Sequence, residues 1–285
     1  MTRLLNSALV FLAIVIGSVP SPALALALAQ DEHKWEFTQQ SGNQIAWSCT
    51  GQGEPTVMMI AGSGLDAHDS FGRIYHNYDG PGRVCMYDRA GLGKSTFPNL
   101  KTRTLDDLVR ELRAVVEAAN AKQLVLAPHS FGGFIARAYV AKYPAQVKGV
   151  LFIDVSHEDW LPNLKAGMTQ ADWAIFERIL SWTESTYHED YWQAQEAMRS
   201  LRFPPDLPIT VLTRGIPHAT IRRERLSDEG MNLYENEHRA LQEKIAALSN
   251  NSQHRVARYS SHVFNDYDPW LVIEEIKALE KRLSN

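Results

Sequence analysis

The feature that most constrains the fold is a series of short apolar runs that alternate with segments of helical pattern. Each run has five or six residues, a length typical of strands buried on both faces of a sheet. Between the runs, apolar residues recur at the spacing of amphipathic helices. This alternation favours an α/β fold with a mostly parallel central β-sheet flanked by helices. The runs occupy residues 56–61, 83–88, 123–127, 150–154 and 208–212.

Two helix starts have clear sequence signals. Thr104 is followed three residues later by Asp107, which predicts a capping box. Asp268 and Pro269 predict an N-cap and the first residue of the last helix. The remaining predicted elements are strands over 45–49 and 255–259 and helices over 132–143 and 233–248.

The alternation is interrupted once, between residues 154 and 208, where the sequence is helical and aromatic. Four of the seven tryptophans fall between Trp160 and Trp192. We therefore predict one α/β domain over residues 30–285 that carries a helical cap insertion at about 157–205. The aromatic side chains either form the insertion's own core or line a substrate pocket.

The first 29 residues have the pattern of a secretory signal. Arg3 precedes an apolar run over 8–16, and small residues at 27 and 29 predict cleavage after Ala29. The run is shorter than the roughly 20 residues that a membrane-spanning helix needs, although an uncleaved anchor remains the alternative. We expect an exported protein, periplasmic or secreted, with no stable membrane span after cleavage. A formal net charge of −4 argues against nucleic acid as a partner.

Two glycine-containing segments resemble phosphate-binding loops without completing the motif. Residues 62–67 fit G-x-G-x-x-A, but the segment 66–79 shows no helical apolar stripe and Asp88 lies farther along than the usual ribose-binding acid. Residues 91–95 end in Gly-Lys-Ser but lack the first glycine of a P-loop. His-Glu pairs also lack a second histidine at metal-ligand spacing. We predict no cofactor and no metal.

Ser130 is the strongest candidate nucleophile. Its segment, Pro-His-Ser-Phe-Gly-Gly at 128–133, lies between a predicted strand and a predicted helix and resembles the G-x-S-x-G elbow. Such a turn exposes the serine hydroxyl at the sheet edge, and the following helix N-terminus adds positive potential. The backbone N–H of Phe131 is then an expected oxyanion donor.

Two other loops carry groups that this serine would need. His262 follows the last predicted strand, where it can act as the general base for Ser130. Ser63 stands in a Gly-Ser-Gly loop after the strand at 56–61, and its N–H is the second expected oxyanion donor.

Together these segments resemble the α/β-hydrolase family over essentially all of the sequence after the signal. The resemblance implies a serine hydrolase with the order Ser, acid, His and a cap inserted after the sixth strand. Ala61 departs from the family pattern where His is common, and Pro128 replaces the first glycine of the elbow. The matching segments are 61–64, 87–95, 129–133, 150–154 and 261–269.

The triad acid has two candidates. The family usually places it after the strand that ends here near 212–215, but residues 216–220 contain no carboxylate. The other family position is the end of the preceding strand, which is Asp154. We assign Asp154 as the acid, with Asp228 as the alternative.

Residues outside the triad also have expected roles. The family strand order places Cys49 beside Cys85 and makes a disulfide feasible, and two buried thiols are the alternative. Asp88 and Arg89 are interpreted as structural residues that brace the oxyanion loop. Predicted walls of the substrate pocket are His129, Trp160, Trp173 and Trp182.

The expected function is an exported serine hydrolase that cleaves a small-molecule carboxylic ester or lactone through an acyl-enzyme. Two alternatives remain open at this point. One is an aminopeptidase-type amide hydrolase, and the other is a non-catalytic binding module on the same scaffold. The sequence does not fix the oligomeric state.

Overall fold

The described part of the protein is residues 34–219, 221 and 225–284 of a computed structural model. Trp35–Asn285 form one compact unit. The predicted signal segment over 1–29 lies outside the described residues. Of the helices within the described residues, none has the length and apolar character that crossing a bilayer requires.

The described residues form a sheet of eight strands: β1 Glu36–Gln40, β2 Asn43–Thr50, β3 Thr56–Ile60, β4 Val84–Tyr87, β5 Leu124–Pro128, β6 Val147–Ile153, β7 Ile209–Arg214 and β8 Ser252–Ala257. Their order in the sheet is β1-β2-β4-β3-β5-β6-β7-β8. The pairs β1/β2 and β2/β4 are antiparallel, and the other neighbouring strands are parallel. This confirms the predicted α/β fold with a mostly parallel sheet.

Helices cover both faces of the sheet, which explains why the parallel strands are apolar throughout. The helices are α1 Ala67–Asn77, α2 Leu105–Ala118, α3 Gly132–Lys142, α4 Trp160–Gly167, α5 Gln170–Tyr187, α6 Tyr191–Met198, α7 Asp228–Ala246, α8 Phe264–Tyr267 and α9 Pro269–Leu283. One hydrophobic cluster joins the sheet to α2, α3, α7 and the helices between β6 and β7, and the other joins it to α1 and α9.

The two helix starts are confirmed. Thr104 and Asp107 form a reciprocal capping box at α2, and Asp268 caps α9 with Pro269 at its first turn. The helix predicted over 233–248 instead begins at Asp228, because the Ser227 hydroxyl accepts the N–H of Gly230 and caps it earlier. The last strand is Ser252–Ala257, which begins three residues and ends two residues before the predicted 255–259.

The interpretation of 66–79 as lacking a helical stripe is wrong. Asp66 caps α1 by accepting the N–H of Asp69. The buried stripe is provided by Ala67, Phe71 and Ile74, at helical spacing. Polar residues between these positions obscured the pattern in the sequence.

The disulfide between Cys49 and Cys85 is present. The two residues are directly opposite each other in the antiparallel pair β2/β4, with Cα atoms 4.1 Å apart. The bridge joins residues 36 positions apart, and a cross-link of this kind adds on the order of 2–4 kcal/mol of stability, largely by restricting the unfolded chain. It also fixes β4, the strand that leads into Asp88 and Arg89.

Three helices, α4 to α6, lie between β6 and β7 and occupy most of the predicted insertion at 157–205. Trp160 of α4 packs edge-on against Phe176 of α5, with ring centres 5.5 Å apart. Both rings also contact Tyr234 of α7, at 5.4 and 6.0 Å. The insertion therefore packs against α7 through aromatic side chains.

Candidate active site

The carboxyl ends of the parallel strands lie at one edge of the sheet, and the predicted site residues follow several of them. Ser63 follows β3, Ser130 follows β5 and Asp154 follows β6. Arg214 ends β7 and His262 lies in the loop after β8. In open α/β sheets this edge is where ligands bind.

Ser130 occupies a sharp turn between β5 and α3, with φ of +54°. The two glycines that follow are needed because the turn is crowded. A Cβ on Gly132 would lie 2.5 Å from the Ile60 carbonyl oxygen, and one on Gly133 would lie 2.6 Å from Val155. The small residues that the motif predicts are therefore required by contact with β3 and with the residue after Asp154.

Pro128, in place of the usual first glycine, does not disturb this turn. The missing N–H of Pro128 is tolerated because the backbone N–H groups of the next two residues both donate to neighbouring strands. His129 N donates to the Ile60 carbonyl at 2.9 Å, and Ser130 N donates to the Ile153 carbonyl at 3.2 Å. Ser130 is thus held between β3 and β6.

The structure brings Ser130, His262 and Asp154 into one chain of hydrogen bonds. The Ser130 hydroxyl is 2.9 Å from His262 Nε2. His262 Nδ1 donates to Asp154 Oδ2 at 2.6 Å. Both distances allow the proton transfers of a nucleophile activated by a histidine base. The alternative acid, Asp228, is not brought to His262, because it is the exposed first residue of α7.

Asp154 is buried and accepts further hydrogen bonds on both carboxylate oxygens. Oδ1 accepts from the Arg214 backbone N–H at 2.9 Å and from His238 Nε2 at 2.7 Å. Oδ2 accepts from the Arg214 guanidinium at 2.8 Å. Burial alone would raise the pKa of Asp154, but the charge of Arg214 and the hydrogen bonds from His238 and His262 hold that pKa well below its ordinary value. The carboxylate is therefore ionised throughout the neutral range.

Sequence analysis did not identify Arg214 or His238 as site residues. Arg214 carried a usable signal, since it is the last residue of a buried strand and therefore lies at the same sheet edge. His238 carried none, because it is one of many polar residues on α7. Burial lowers the pKa of His238, so the neutral ring donates its Nε2–H to Asp154.

His262 lies between two other imidazoles. The His218 ring stacks on it with centres 4.3 Å apart, and the His129 ring lies 4.7 Å away. His129 Nε2 donates to the His262 carbonyl at 2.8 Å. Burial lowers the pKa of His129 to about 3 and lowers that of His218 well below its ordinary value. Both rings are neutral and fix the His262 loop without competing for its proton.

The expected oxyanion donors flank the nucleophile. Phe131 directly precedes α3, so its N–H is among those that the helical bonding pattern leaves unused. The Gly62–Ser63 peptide passes close to Ser130, since a Cβ on Gly62 would lie 3.1 Å from the Ser130 Cβ.

The bracing role predicted for Asp88 and Arg89 is confirmed. The Arg89 guanidinium donates to the carbonyls of Ala61 and Gly62 at 2.6 and 2.8 Å. Asp88 accepts the N–H groups of Ala67 and Lys94, both at 2.8 Å. These contacts hold the loop after β3 and the start of α1.

A cavity of about 320 Å³ opens directly onto Ser130 and His262. Trp160 lines it, as predicted, and Trp182 lines it with 59% of its surface exposed. Most of the remaining wall is apolar or aromatic. These further wall residues are Leu65, Phe176, Ile179, Leu180, Tyr187, Tyr191, Ile221, Tyr234 and Val263.

Two of the predicted wall residues do not line the cavity. Trp173 on α5 packs against Trp192, and Lys165 lies over both rings. His129 is 2% exposed and lies behind His262, because the turn at Ser130 directs its ring into the protein.

The cavity wall contains little free charge. Its only carboxylate among the described residues is Asp154, which is fully occupied by donors. Arg214 also lines the cavity and pairs with Asp154 and with Glu235. No group of three or more His, Cys, Asp or Glu side chains with a metal-binding arrangement occurs in the described part of the chain.

Comparison with known proteins identifies the same fold. A family model described as the α/β hydrolase fold matches residues 55–195. The protein YqjL of Bacillus subtilis is 27% identical over 218 residues, which cover 76% of this chain and 80% of YqjL. A proline iminopeptidase of Heyndrickxia coagulans is 34% identical over 120 residues, which cover 41% of each chain. YbdG of Bacillus subtilis is 29% identical over 108 residues, 37% of this chain and 33% of YbdG.

Solved structures show the same fold at lower identity. A thermophilic esterase from Thermogutta terrifontis superposes with a TM-score of 0.60 at 16% identity, covering 89% of this chain and 100% of the esterase. The mouse α/β hydrolase domain-containing protein 10 superposes with a TM-score of 0.62 at 15% identity, covering 87% of this chain and 99% of that chain. The strand order, the order of the strand-end motifs and the matching family model agree, and the chain has the α/β-hydrolase fold.

Proposed function

We propose that the protein is a serine hydrolase that cleaves a carboxylic ester or lactone through an acyl-enzyme. The observation that carries this proposal is the unbroken hydrogen-bond chain from Ser130 through His262 to Asp154 at the floor of an apolar cavity. The same observation disfavours a non-catalytic binding module, which would have no use for a buried ionised acid behind a histidine base.

The proposed reaction assigns a step to each of these groups. Ser130 Oγ attacks the carbonyl carbon while His262 Nε2 takes its proton, and Asp154 holds the imidazole by the opposite nitrogen. The N–H groups of Ser63 and Phe131 donate to the oxyanion that forms. His262 returns the proton to the departing alkoxide. Water then attacks the acyl group by the same route, and the carboxylic acid leaves with Ser130 restored.

The charge of the cavity favours esters over aminoacyl amides. Binding a substrate ammonium group would require a carboxylate with unused acceptor capacity. Besides the occupied Asp154, two acids that contact wall residues already have donors: Glu235 accepts from Arg214 and the His218 backbone, and Glu189 accepts from Arg89 and Ser63. The similarity to a proline iminopeptidase keeps amide hydrolysis as the alternative. Rates on esters and on aminoacyl amides should therefore be compared directly.

We further propose that the protein is exported and that the insertion at 157–205 acts as a cap over the cavity. The signal-like pattern over 1–29 and the Cys49–Cys85 disulfide support export, since disulfides persist in oxidising compartments. The cavity walls contributed by α4 and α5 support the role of the cap.

The proposed function is tested by labelling the folded protein with a fluorophosphonate and locating the adduct by mass spectrometry. We expect one adduct, on the peptide that contains Ser130, and none in a Ser130→Ala control. A folded wild-type protein that takes no label would instead support a binding module.

A substrate series tests the preference for neutral acyl groups. At roughly 30 Å³ for a water-sized group, a cavity of about 320 Å³ holds roughly ten non-hydrogen atoms. We therefore expect kcat/KM for para-nitrophenyl esters to rise with acyl length to about that size and then to fall. An acyl group of matched length with a terminal ammonium should react about 100-fold more slowly, because burying an unpaired charge is costly. Faster cleavage of aminoacyl para-nitroanilides would favour the aminopeptidase alternative.

A further inference from the structure

Glu189 connects the insertion to the loop that carries Ser63. It lies in the turn between α5 and α6, and its side chain is completely buried. Its Oε1 accepts from Arg89 Nε at 2.6 Å, and its Oε2 accepts from the Ser63 hydroxyl at 2.8 Å. The turn is held in place by Arg103, which donates to the His188 carbonyl from its backbone and to the Tyr187 carbonyl from its guanidinium, both at 2.8 Å.

Arg89 links Glu189 to the backbone beside the nucleophile, because it donates to both. Its guanidinium, fixed by Glu189, donates at 2.8 Å to the carbonyl of Gly62. A trans peptide is planar, so the Gly62 carbonyl and the Ser63 N–H point in opposite directions within one plane. Holding that carbonyl on the Arg89 side therefore fixes the direction of the Ser63 N–H. Glu189 acts on this peptide twice, through Arg89 and through the Ser63 hydroxyl.

The purely structural explanation is that the buried pair only stabilises the fold. Burial alone would lower the pKa of Arg89, and the charge and hydrogen bonds of Glu189 raise it. A second buried acid, Glu111, pairs with Arg103 in the same cluster at 3.1 Å. Glu111 accepts from the Ala90 backbone and from Arg103, but it contacts neither Gly62 nor Ser63. Substituting each glutamate in turn therefore distinguishes two roles. Both residues stabilise the buried cluster, but only Glu189 is placed to orient the Gly62–Ser63 peptide.

We propose that Glu189 of the insertion is a positioning residue that aims the Ser63 N–H at the oxyanion, so that the insertion contributes to the chemical step as well as to substrate binding. The inference rests on the proposed function, because it needs an oxyanion formed by attack of Ser130.

The test is Glu189→Gln, which keeps the shape of the side chain but turns an NH₂ group either toward Arg89 and Arg103 or toward Ser63 and Arg89, all of which donate to the native carboxylate. Loss of one oxyanion donor in other hydrolases costs about 10²–10³-fold in kcat. For a misdirected donor we expect kcat for an ester to fall by about 10- to 100-fold, with KM within about threefold of wild type. Affinity for a trifluoromethyl ketone, which adds to Ser130 and forms a tetrahedral oxyanion, should fall by the same factor as kcat/KM.

Glu111→Gln is the matched control. It perturbs the same buried cluster, and we expect kcat and ketone affinity within about threefold of wild type. Equal losses in both variants, or an unchanged kcat in Glu189→Gln, would overturn the positioning role and leave the proposed function intact.

Ser63→Ala is the second variant, in case Glu189→Gln does not fold. It keeps the backbone N–H and the Arg89–Glu189 pair but removes one of the two contacts, so kcat and ketone affinity should both fall by about 3- to 10-fold. With Glu189→Gln unfolded, an unchanged Ser63→Ala enzyme overturns the inference. A wild-type protein that neither turns over esters nor takes a phosphonate refutes the proposed function, and the inference with it.

Discussion

Replacement of Ser130 with alanine is expected to lower kcat for an ester substrate by about 10⁶-fold, the size of effect found when the nucleophile of another serine hydrolase is removed. Among the described residues, Ser130 carries the only hydroxyl that is hydrogen-bonded to His262 Nε2. Ser63 also lines the cavity, but its hydroxyl donates to Glu189 rather than to His262. Residual turnover would come from water and the oxyanion donors alone.

The same variant should fold normally. The Ser130 side chain makes its hydrogen bond only to His262 among the described residues, so its loss costs about 0.5–1.5 kcal/mol. Alanine leaves the positive φ and the contacts of Gly132 and Gly133 unchanged. Initial rates and a thermal melt of the two proteins, measured side by side, test both statements. A folded Ser130→Ala protein that keeps more than about 1% of wild-type activity would show that the nucleophile is another residue.

The residues at the ends of strands could be predicted because each signal is local. A buried apolar run followed by a tight small-residue turn identifies Ser130, and Asp154 and His262 are placed by the runs that precede them. Parallel strands bring their carboxyl ends to one edge, so the positions along the sequence already imply proximity. The choice between Asp154 and Asp228 depended on one further fact, which is that Asp228 begins α7. The sequence does not mark the start of that helix strongly.

The residues that support the site could not be predicted in the same way. Glu189 reaches Ser63 across 126 residues of sequence, and His238 reaches Asp154 across 84. Such contacts depend on how the insertion and α7 pack on the sheet, which no local pattern encodes. Trp173 shows the same limit: an aromatic side chain in the insertion suited a pocket wall, but in the folded protein it packs against Trp192 instead.

Asp154→Asn should lower kcat by about 10⁴-fold, as the equivalent change does in another serine hydrolase. The structure gives a specific reason. Each carboxylate oxygen accepts from two donors: Oδ1 from the Arg214 backbone and His238, and Oδ2 from the Arg214 guanidinium and His262. The asparagine NH₂ group meets donors in either orientation. If it faces His262, the ring must carry its proton on Nε2, where it can no longer accept one from Ser130.

The variant should also be less stable, with a defined pH dependence. The folded-state pKa of Asp154 lies well below the ordinary value of 3.8. The ionised carboxylate therefore contributes stability that is fully present above about pH 4 and is lost only as pH falls through the lower folded value. The asparagine variant lacks this contribution, so urea melts should show the largest difference in unfolding free energy near neutral pH, with the curves converging in strong acid. Arg214 keeps its pairing with Glu235 at 2.9 Å, which favours retention of the fold.

Asp228→Asn is the matched control for the assignment of the acid. Asp228 is exposed in the first turn of α7, where a negative charge interacts favourably with the helix dipole. Its loss should cost about 0.3–1 kcal/mol of stability and leave kcat within about twofold of wild type. Collapse of turnover in Asp228→Asn, with near-normal rates in Asp154→Asn, would reverse the assignment. It would also require the segment before α7 to move by enough to bring Asp228 to His262, a change that hydrogen exchange of the first turn of α7 would register.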